Sequence, residues 1–405
     1  MAVEARPGAP GRKPAPPTGP DARLGWWRPP RVAGWALLLF QFQQGVGLLW
    51  DERWHQAVGR DRFLTPPHLL LYSGVALSGI TCLVMVIWAT LRHHRGAGVD
   101  DGNSLRVLGL FHAPLGFVVT GFGCLVIAAA APLDDYWHQL YGLDVALWAP
   151  FHLMALTGGF LAVLGSAYLW SALAVRARQA GRDPRAERAS TAFALMLLVG
   201  LVVNLAQPGL VLYPTIELGP LSVMTYPVLL AALMPWLLVA ARGALGWRRA
   251  ATLVALVLFV QDVVLNLSIP AVVRSVAAAE GLPFRSPALA PTFRFQQVLP
   301  SVTVLLVAVL LDLVAASEAG GRRRRPVVLG ASVGLALWLL AALAGQVSAT
   351  AAARLAPGAL PPGLFVPPPA TALAVLLALP CAVALAAASA TVGDGLGQIL
   401  RENPR

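Results

Sequence analysis

The chain has 405 residues, of which 57% are hydrophobic and only 12% are charged. Soluble globular domains carry about 25% charged residues, so this chain has about half of the charge that a water-exposed surface needs. Its mean hydropathy is +0.69, and apolar runs long enough to cross a membrane recur along it. The composition therefore excludes a soluble enzyme and predicts an all-α polytopic integral membrane protein.

The charge is strongly basic, with 30 lysine and arginine residues against 19 acidic residues and a formal net charge of +11. In a soluble protein this excess would suggest nucleic acid. Here the basic residues fall between apolar runs, where they set the orientation of membrane helices. The sequence therefore predicts a lipid bilayer as the environment and no nucleic-acid partner. Arginine outnumbers lysine 29 to 1, a bias of GC-rich genomes that indicates a bacterial plasma membrane.

The apolar runs predict ten membrane-spanning helices. Residues 1–31, rich in proline, glycine and arginine, are predicted to form a disordered cytoplasmic tail. Residues 32–175 are predicted to form two helical hairpins, and residues 176–405 a bundle of six helices. The predicted spans are 32–50, 69–91, 107–131, 152–175, 191–213, 222–241, 250–268, 298–317, 326–346 and 369–393.

Basic residues are distributed unevenly between the two sets of loops that these spans define. The tail and the loops on its side contain 23 of them, and the loops on the opposite side contain 7. Basic residues are retained on the cytoplasmic side, so both termini are predicted to be cytoplasmic.

Two polar segments, 50–72 and 133–154, repeat one pattern at the predicted outer ends of the first and third spans. Six identities share an offset of 83, and a histidine follows at an offset of 84. The identical pairs are Asp51 and Asp134, Trp54 and Trp137, His55 and His138, Gln56 and Gln139, Gly59 and Gly142, Asp61 and Asp144, and His68 and His152. The first four spans are therefore predicted to be two parallel hairpin repeats whose outer ends can converge.

Each copy contains one carboxylate and two imidazoles in a spacing that suits a metal. Asp-x-x-x-His places its two side chains on one face of a helical turn, and proline ends the chain segment before the second histidine opens the next helix. This is the inventory of a two-histidine, one-carboxylate metal site. The predicted ligands are Asp51, His55 and His68, and Asp134, His138 and His152; Asp61 and Asp144 are candidates to orient the histidines. The alternative is that these residues only anchor helix ends at the membrane boundary.

A further polar group lies deep within the seventh span. Asp262 and Asn266 stand in an otherwise apolar stretch, where a carboxylate is costly and usually faces the protein interior. They are predicted to form either an intramembrane functional site or a hydrogen-bonded contact between packed helices.

The first copy resembles a known family. The segment Asp51-Glu-Arg-Trp-His55-Gln, followed by Arg60-Asp61 and by Thr65-Pro-Pro-His68, is similar to the metal-site segment of the third (C) subunit of particulate methane and ammonia monooxygenases. That family carries Asp-x3-His-x12-His, with tryptophan before the first histidine and Thr-Pro before the last. The match covers about 18 residues of the chain.

The resemblance implies that Asp51, His55 and His68 bind copper within the membrane. It also implies that Asp134 and His138 stand where the family has a second Asn-x3-His element, with aspartate in place of asparagine. The long second copy ending in His152 departs from the family pattern. Because the family works as a complex, the resemblance further implies other membrane subunits and an electron donor.

The favoured functional hypothesis is a copper-dependent, monooxygenase-like protein that oxidises a small apolar substrate with dioxygen. Iron suits the same ligands equally well, and only the resemblance favours copper. One alternative is a protein that transports or delivers metal ions. Another is a b-type haem protein with His68 and His152 as axial ligands.

The topology can be tested by cysteine labelling in a variant without native cysteines. Gln56→Cys and Gln139→Cys are both expected to react with a membrane-impermeant thiol reagent outside intact cells, because both copies are predicted to lie on the outer face. His94→Cys, in a predicted cytoplasmic loop, is the control that should react only after permeabilisation. Labelling of only one of the two outer positions would contradict the parallel repeat.

Overall fold

A computed structural model of the protein describes residues 29–59, 63–95, 104–141, 147–211, 213–287, 290–316, 326–353 and 371–402. The helices are α1 (Pro29–Ala57), α2 (Pro66–His94), α3 (Leu115–Tyr141), α4 (Pro150–Gln179), α5 (Arg185–Val211), α6 (Thr225–Leu233), α7 (Pro235–Leu245), α8 (Ala250–Ala279), α9 (Leu299–Ala316), α10 (Pro326–Ala353) and α11 (Ala372–Glu402). Two antiparallel hairpins, β1 (Ser104–Val107) with β2 (Phe111–Pro114) and β3 (Thr215–Leu218) with β4 (Leu221–Met224), precede α3 and α6.

Within these described ranges, ten helices are long and apolar enough to cross a membrane, with α6 and α7 counted as one. The prediction of an all-α polytopic membrane protein is therefore confirmed. The main hydrophobic core extends from α1 to α11 and includes Leu37, Phe117, Trp170 and Tyr226, each at most 1% exposed.

Helices α1 and α3 continue beyond the predicted ends of their spans. α1 ends at Ala57 rather than near residue 50, and α3 ends at Tyr141 rather than near residue 131. The Asp-x-x-x-His element of each copy therefore lies in the final turns of a helix, not in a loop. Polar residues continue these helices because the apolar run marks only the part of a helix that meets lipid.

The third and sixth spans begin later than predicted, because a β-hairpin occupies the start of each predicted run. α3 begins at Leu115, after β2, and α6 begins at Thr225, after β4. The sixth span is also interrupted at Met234. The next residue, Pro235, has no backbone N–H for the helical hydrogen bond and starts the separate helix α7.

The two hairpins of the repeat both turn at a proline. α2 begins at Pro66 and α4 at Pro150, and the preceding residues, Thr65 and Ala149, are extended with ψ of 156° and 147°. Proline at the first helical position loses no hydrogen bond, and it disfavours helical conformation in the residue before it. The proline thus fixes where the second helix starts, and the histidine two residues later lies in the first turn.

A glycine allows close helix packing at the same place in both hairpins. A Cβ on Gly74 of α2 would lie 2.8 Å from the backbone oxygen of Phe40 in α1. A Cβ on Gly158 of α4 would likewise lie 2.8 Å from the backbone oxygen of Gly123 in α3. These pairs are related by the offsets of the polar segments, 84 and 83. The repeat therefore extends from the polar segments into the membrane-spanning helices.

A buried carboxylate joins α7, α8 and α9. Asp312 of α9 is 5% exposed and pairs with the guanidinium of Arg242. Its Oδ2 also accepts hydrogen bonds from the backbone N–H and the hydroxyl of Thr252, both at 2.8 Å. The backbone N–H of Thr252 lies in the first turn of α8 and has no acceptor within the helix. Asp312 supplies that acceptor.

We expect Gly158→Ala to destabilise the protein by about 1–3 kcal/mol, because the added methyl group overlaps the backbone of α3. Gly159→Ala is the matched control. A Cβ there meets only a Leu201 methyl group at 3.9 Å, and alanine favours a helix by about 0.8–1.0 kcal/mol over glycine. Thermal unfolding in detergent should therefore move in opposite directions for the two variants. Equal unfolding temperatures would show that α3 and α4 are not held at this distance.

Candidate metal centres

Three side chains of the first hairpin converge between α1 and α2. Asp51 and His55 lie one helical turn apart at the end of α1, and His68 lies in the first turn of α2. His55 Nε2 is 3.5 Å and His68 Nε2 is 3.2 Å from Asp51 Oδ1. Both histidines are buried, at 6% and 8% exposure. His68 also stacks on the ring of Tyr72, which holds the orientation of its imidazole.

The second hairpin repeats this arrangement between α3 and α4. His138 Nε2 lies 3.4 Å from Asp134 Oδ2, and His152 Nε2 lies 3.3 Å from Asp134 Oδ1. The two imidazole centroids are 5.8 Å apart, against 5.9 Å in the first hairpin. The repeated sequence therefore folds into a repeated constellation of side chains.

Each constellation has the dimensions of a metal site. In each hairpin three donor atoms, one from each residue, lie within 4.8 Å of one another. Two ligands bonded tetrahedrally to one ion at about 2.1 Å lie about 3.4 Å apart, and the imidazole–carboxylate distances are 3.2–3.5 Å.

In both constellations one oxygen of the carboxylate is free to accept a further ligand. Asp51 Oδ1 and Asp134 Oδ1 are buried, and within the described ranges neither accepts a hydrogen bond of good geometry. A buried acceptor in this state costs about 1–3 kcal/mol. A cation bound between the carboxylate and the imidazoles would remove that cost. The residues present therefore fit a metal ion.

All six predicted ligands are thus brought together, as two groups of three rather than as one group of six. Asp61 and Asp144, the candidates to orient the histidines, lie outside the described residues. In each hairpin both Nε2 atoms face the carboxylate of that hairpin. This orientation argues against a haem held between His68 and His152.

The equivalent tryptophans beside the two sites have different environments. Trp54 is 1% exposed and packs with Ile269 and Val273 of α8. Trp137 is partly exposed and contacts the rings of Tyr141 and Phe151 within its own hairpin. The first site is therefore fixed against the rest of the bundle, whereas the second is supported by its own hairpin.

Both sites line one cavity of about 200 Å³, which we call the chamber. The first site contributes all three candidate ligands, and the second contributes Asp134 and His152. Helices α5, α8 and α9 complete its wall. Most of the other side chains that face it are apolar, among them Leu48, Leu71, Ile127, Leu197, Leu201, Leu258 and Leu265. A chamber with this lining suits a small apolar molecule.

Asp262 also lines the chamber, and Asn266 lies buried one turn further along α8. Arg53 Nη2 donates to Asn266 Oδ1 at 3.1 Å, Asn266 Nδ2 donates to Asp262 Oδ1 at 2.8 Å, and Ser301 Oγ lies 2.6 Å from Asp262 Oδ2. The predicted intramembrane polar pair is therefore hydrogen-bonded to neighbouring helices and also faces the candidate metal sites.

Sequence reasoning missed Arg53, Ser301 and Gln41 as parts of this region. Arg53 stands two residues after Asp51, so on a helix it points to the opposite side and reaches α8. Gln41 Nε2 donates to the backbone oxygen of Ala162 and to Ser166 Oγ in α4. Polar side chains on more than one face of α1 could have indicated that this helix is surrounded by other helices, because such side chains avoid lipid.

Fold and site together define a polytopic α-helical membrane protein with two Asp-His-His constellations facing one chamber. Comparisons with models of protein families, with curated proteins and with solved structures find no match.

Proposed function

We propose that this protein is a membrane-embedded metalloprotein that binds two metal ions, one in each hairpin, and oxidises a small apolar substrate with dioxygen. The observation that carries the proposal is the duplicated constellation, in which one carboxylate and two imidazoles converge in each hairpin and five of these six residues line the same chamber. Two side-by-side sites suit a reaction in which the ions act together.

Copper is the proposed metal. The ligand chemistry admits copper and iron equally, and the choice of copper rests on the resemblance of residues 51–68 to the monooxygenase subunit. The oxygenase activity has the same basis, together with the apolar lining of the chamber. Further membrane subunits and an electron donor belong to the proposal for the same reason.

When bound, copper would supply redox chemistry toward dioxygen. The protein's own residues would hold the ions and exclude water. Asp51 and Asp134 would neutralise part of the ion's charge, and the four histidines would bind as neutral imidazoles. The leucine-rich wall would admit an apolar substrate from the membrane and keep bulk water from the sites.

Metal transport or delivery is the remaining alternative. A transport path needs exchangeable ligands through the membrane depth. Of the residues that line the chamber, those with metal-ligand spacing cluster at the helix ends near His55 and His138. This distribution favours metal retention over passage.

Metal content measures the first part of the proposal directly. Protein purified from its native membrane is expected to contain two copper ions per chain. His55→Ala and His138→Ala should each retain about half of that, and the double variant close to none, because loss of one ligand weakens a site about 10–100-fold or more.

His112→Ala is the matched control for these variants. His112 lies in β2, where its ring stacks on that of His93 at 3.6 Å, so its removal should leave the copper content unchanged. Complete loss of copper in either single variant would mean that the six residues form one site. Uptake of copper into vesicles without dioxygen consumption would favour transport.

Access of apolar molecules to the chamber can be tested with xenon, which binds in apolar cavities. Leu201→Trp is expected to abolish xenon binding measured by xenon-129 NMR, because the indole fills the chamber, while the copper content stays at the wild-type level. The control is Leu339→Trp in α10, where the side chain is 52% exposed. Unchanged xenon binding in Leu201→Trp would refute the chamber as the substrate site.

A further inference from the structure

Asp262 faces the chamber, and each of its two carboxyl oxygens has a hydrogen-bond partner. It lies within α8, is bonded to neighbours on α8 and α9, and is not among the candidate ligands. Each of its two oxygens has one side-chain neighbour, Asn266 or Ser301. These two contacts determine where a proton sits.

The contacts of Asn266 show that Asp262 Oδ1 accepts a hydrogen bond. Its Nδ2 donates to Asp262 Oδ1 at 2.8 Å and to the backbone oxygen of Asp262 at 2.9 Å, and its own Oδ1 accepts from Arg53 at 3.1 Å. A guanidinium can only donate, so the amide cannot be turned round. Asp262 Oδ1 is therefore an acceptor.

The contacts of Ser301 indicate where the hydrogen lies between its hydroxyl oxygen and Asp262 Oδ2. Its Oγ lies 2.6 Å from Asp262 Oδ2 and 2.9 Å from the backbone oxygen of Val298. A serine hydroxyl has one hydrogen, and a carbonyl oxygen has none. With an ionised Asp262, one of these contacts would bring two oxygens together without a hydrogen between them. Both are hydrogen bonds when Ser301 donates to Val298 and a proton on Asp262 Oδ2 is donated to Ser301.

Burial in the apolar chamber favours the same state, whereas the nearby charges act in both directions: Arg53 favours the carboxylate and Glu52 favours the neutral acid. In the part of the chain that the structure describes, no arginine or lysine forms an ion pair with it, and the Arg53 guanidinium is bonded to Asn266 instead. Glu52 of α1 lines the same chamber, and α6 contributes the phenol of Tyr226. The charged residues of α5 and α7 lie in the first turns of α5 and the last turn of α7. Burial among apolar side chains is therefore the main influence that disfavours an ionised Asp262, since a carboxylate is poorly solvated there.

We propose that Asp262 is held as a neutral carboxylic acid with its proton on Oδ2, and that it is the proton donor of the chamber. The donor role rests on the proposed function. When one atom of dioxygen enters a C–H bond, the other leaves as water, which requires two electrons from an external reductant and two protons. Asp262 gives up its Oδ2 proton to the chamber, and the Ser301 hydroxyl turns to donate to the carboxylate. A hydronium ion from bulk water then reprotonates Asp262 and leaves as water, so that the same group delivers the second proton.

Asp312 provides a contrasting carboxyl group in the same bundle. It is 5% exposed, whereas Asp262 is half-buried, and it is paired with the Arg242 guanidinium and accepts from the backbone N–H of Thr252, two groups that can only donate. These contacts therefore need no hydrogen from Asp312. Asp262 and Asp312 therefore differ in the kind of group that faces their carboxyl oxygens.

Infrared spectroscopy of the metal-free protein tests the protonation without reference to metal or activity. The wild-type protein should show the carbonyl stretch of a protonated carboxylic acid, shifted by exchange into deuterium oxide because Asp262 faces the chamber. Asp262→Asn should remove this band, and Asp312→Asn should leave it. A wild-type spectrum without the band, or a band that survives in Asp262→Asn, overturns the proposal.

Dioxygen consumption by the copper-loaded protein, with ascorbate as the reductant, tests the donor role. Asp262→Ala should keep the wild-type copper content and lose about 10²-fold in rate, within the range that general acid catalysis contributes. Acetic acid should restore part of the rate, whereas ethanol should not. If acetic acid does not restore the rate of Asp262→Ala, Asp262 has a structural role and is not the proton donor. If the wild-type protein binds no copper, the donor role falls with the proposed function, while the infrared band still decides the protonation.

Discussion

The distance between the two helices of each hairpin is the constraint on which the candidate sites depend. In both copies the carboxylate and first imidazole come from the end of one helix, and the second imidazole comes from the start of the next. A donor set spread over two helices closes only if their axes are held close together. The glycines at positions 74 and 158 allow that approach, because any side chain there would meet the backbone of the partner helix.

The proline that opens the second helix of each hairpin completes this constraint. It determines the residue at which the helix begins, and therefore the direction in which the histidine of the first turn points. Two local rules, a glycine at the crossing and a proline at the turn, thus help to position the three side chains of each hairpin. The segments between the helices, 58–65 and 142–149, have the same length, and the one extra residue of the second copy lies in α3, between Asp134 and Tyr141.

The membrane fold and the six candidate ligands could be predicted from the sequence. Ten apolar runs specify ten helices because backbone groups in lipid must bond within the helix. The duplicated Asp, His and His residues predicted the six candidate ligands, since the same residue types recur at similar spacing, but left open whether they form one group or two. The extents of the helices were predicted less well, because hydropathy does not register the polar turns that carry Asp51 and His55. The break at Met234 carried its own signal, Pro235, within an apolar run.

The shared chamber could not be read from the sequence, because it depends on contacts between residues that are 39 to 213 positions apart. Arg53 meets Asn266, and Ser301 meets Asp262, only after α8 and α9 pack beside the first hairpin. Hydropathy patterns describe which faces are apolar but not which helices become neighbours. Polar residues inside apolar spans are the partial signal, since each must find a partner or face a cavity.

The two copies have diverged in a way that separates their roles. The position of Arg53 is taken in the second copy by Tyr136, which is 58% exposed, whereas Arg53 is 7% exposed and bonded to α8. At this position the first hairpin is joined to α8 by a buried side chain, whereas the second hairpin exposes an aromatic ring. A buried guanidinium without acceptors is strongly unfavourable, so Asn266 and Glu52 must remain beside Arg53. The same contact holds Asn266, and through it Asp262, in place. The first site is therefore physically coupled to the proton-holding carboxyl group of the chamber, while the second site has no such connection among the described residues.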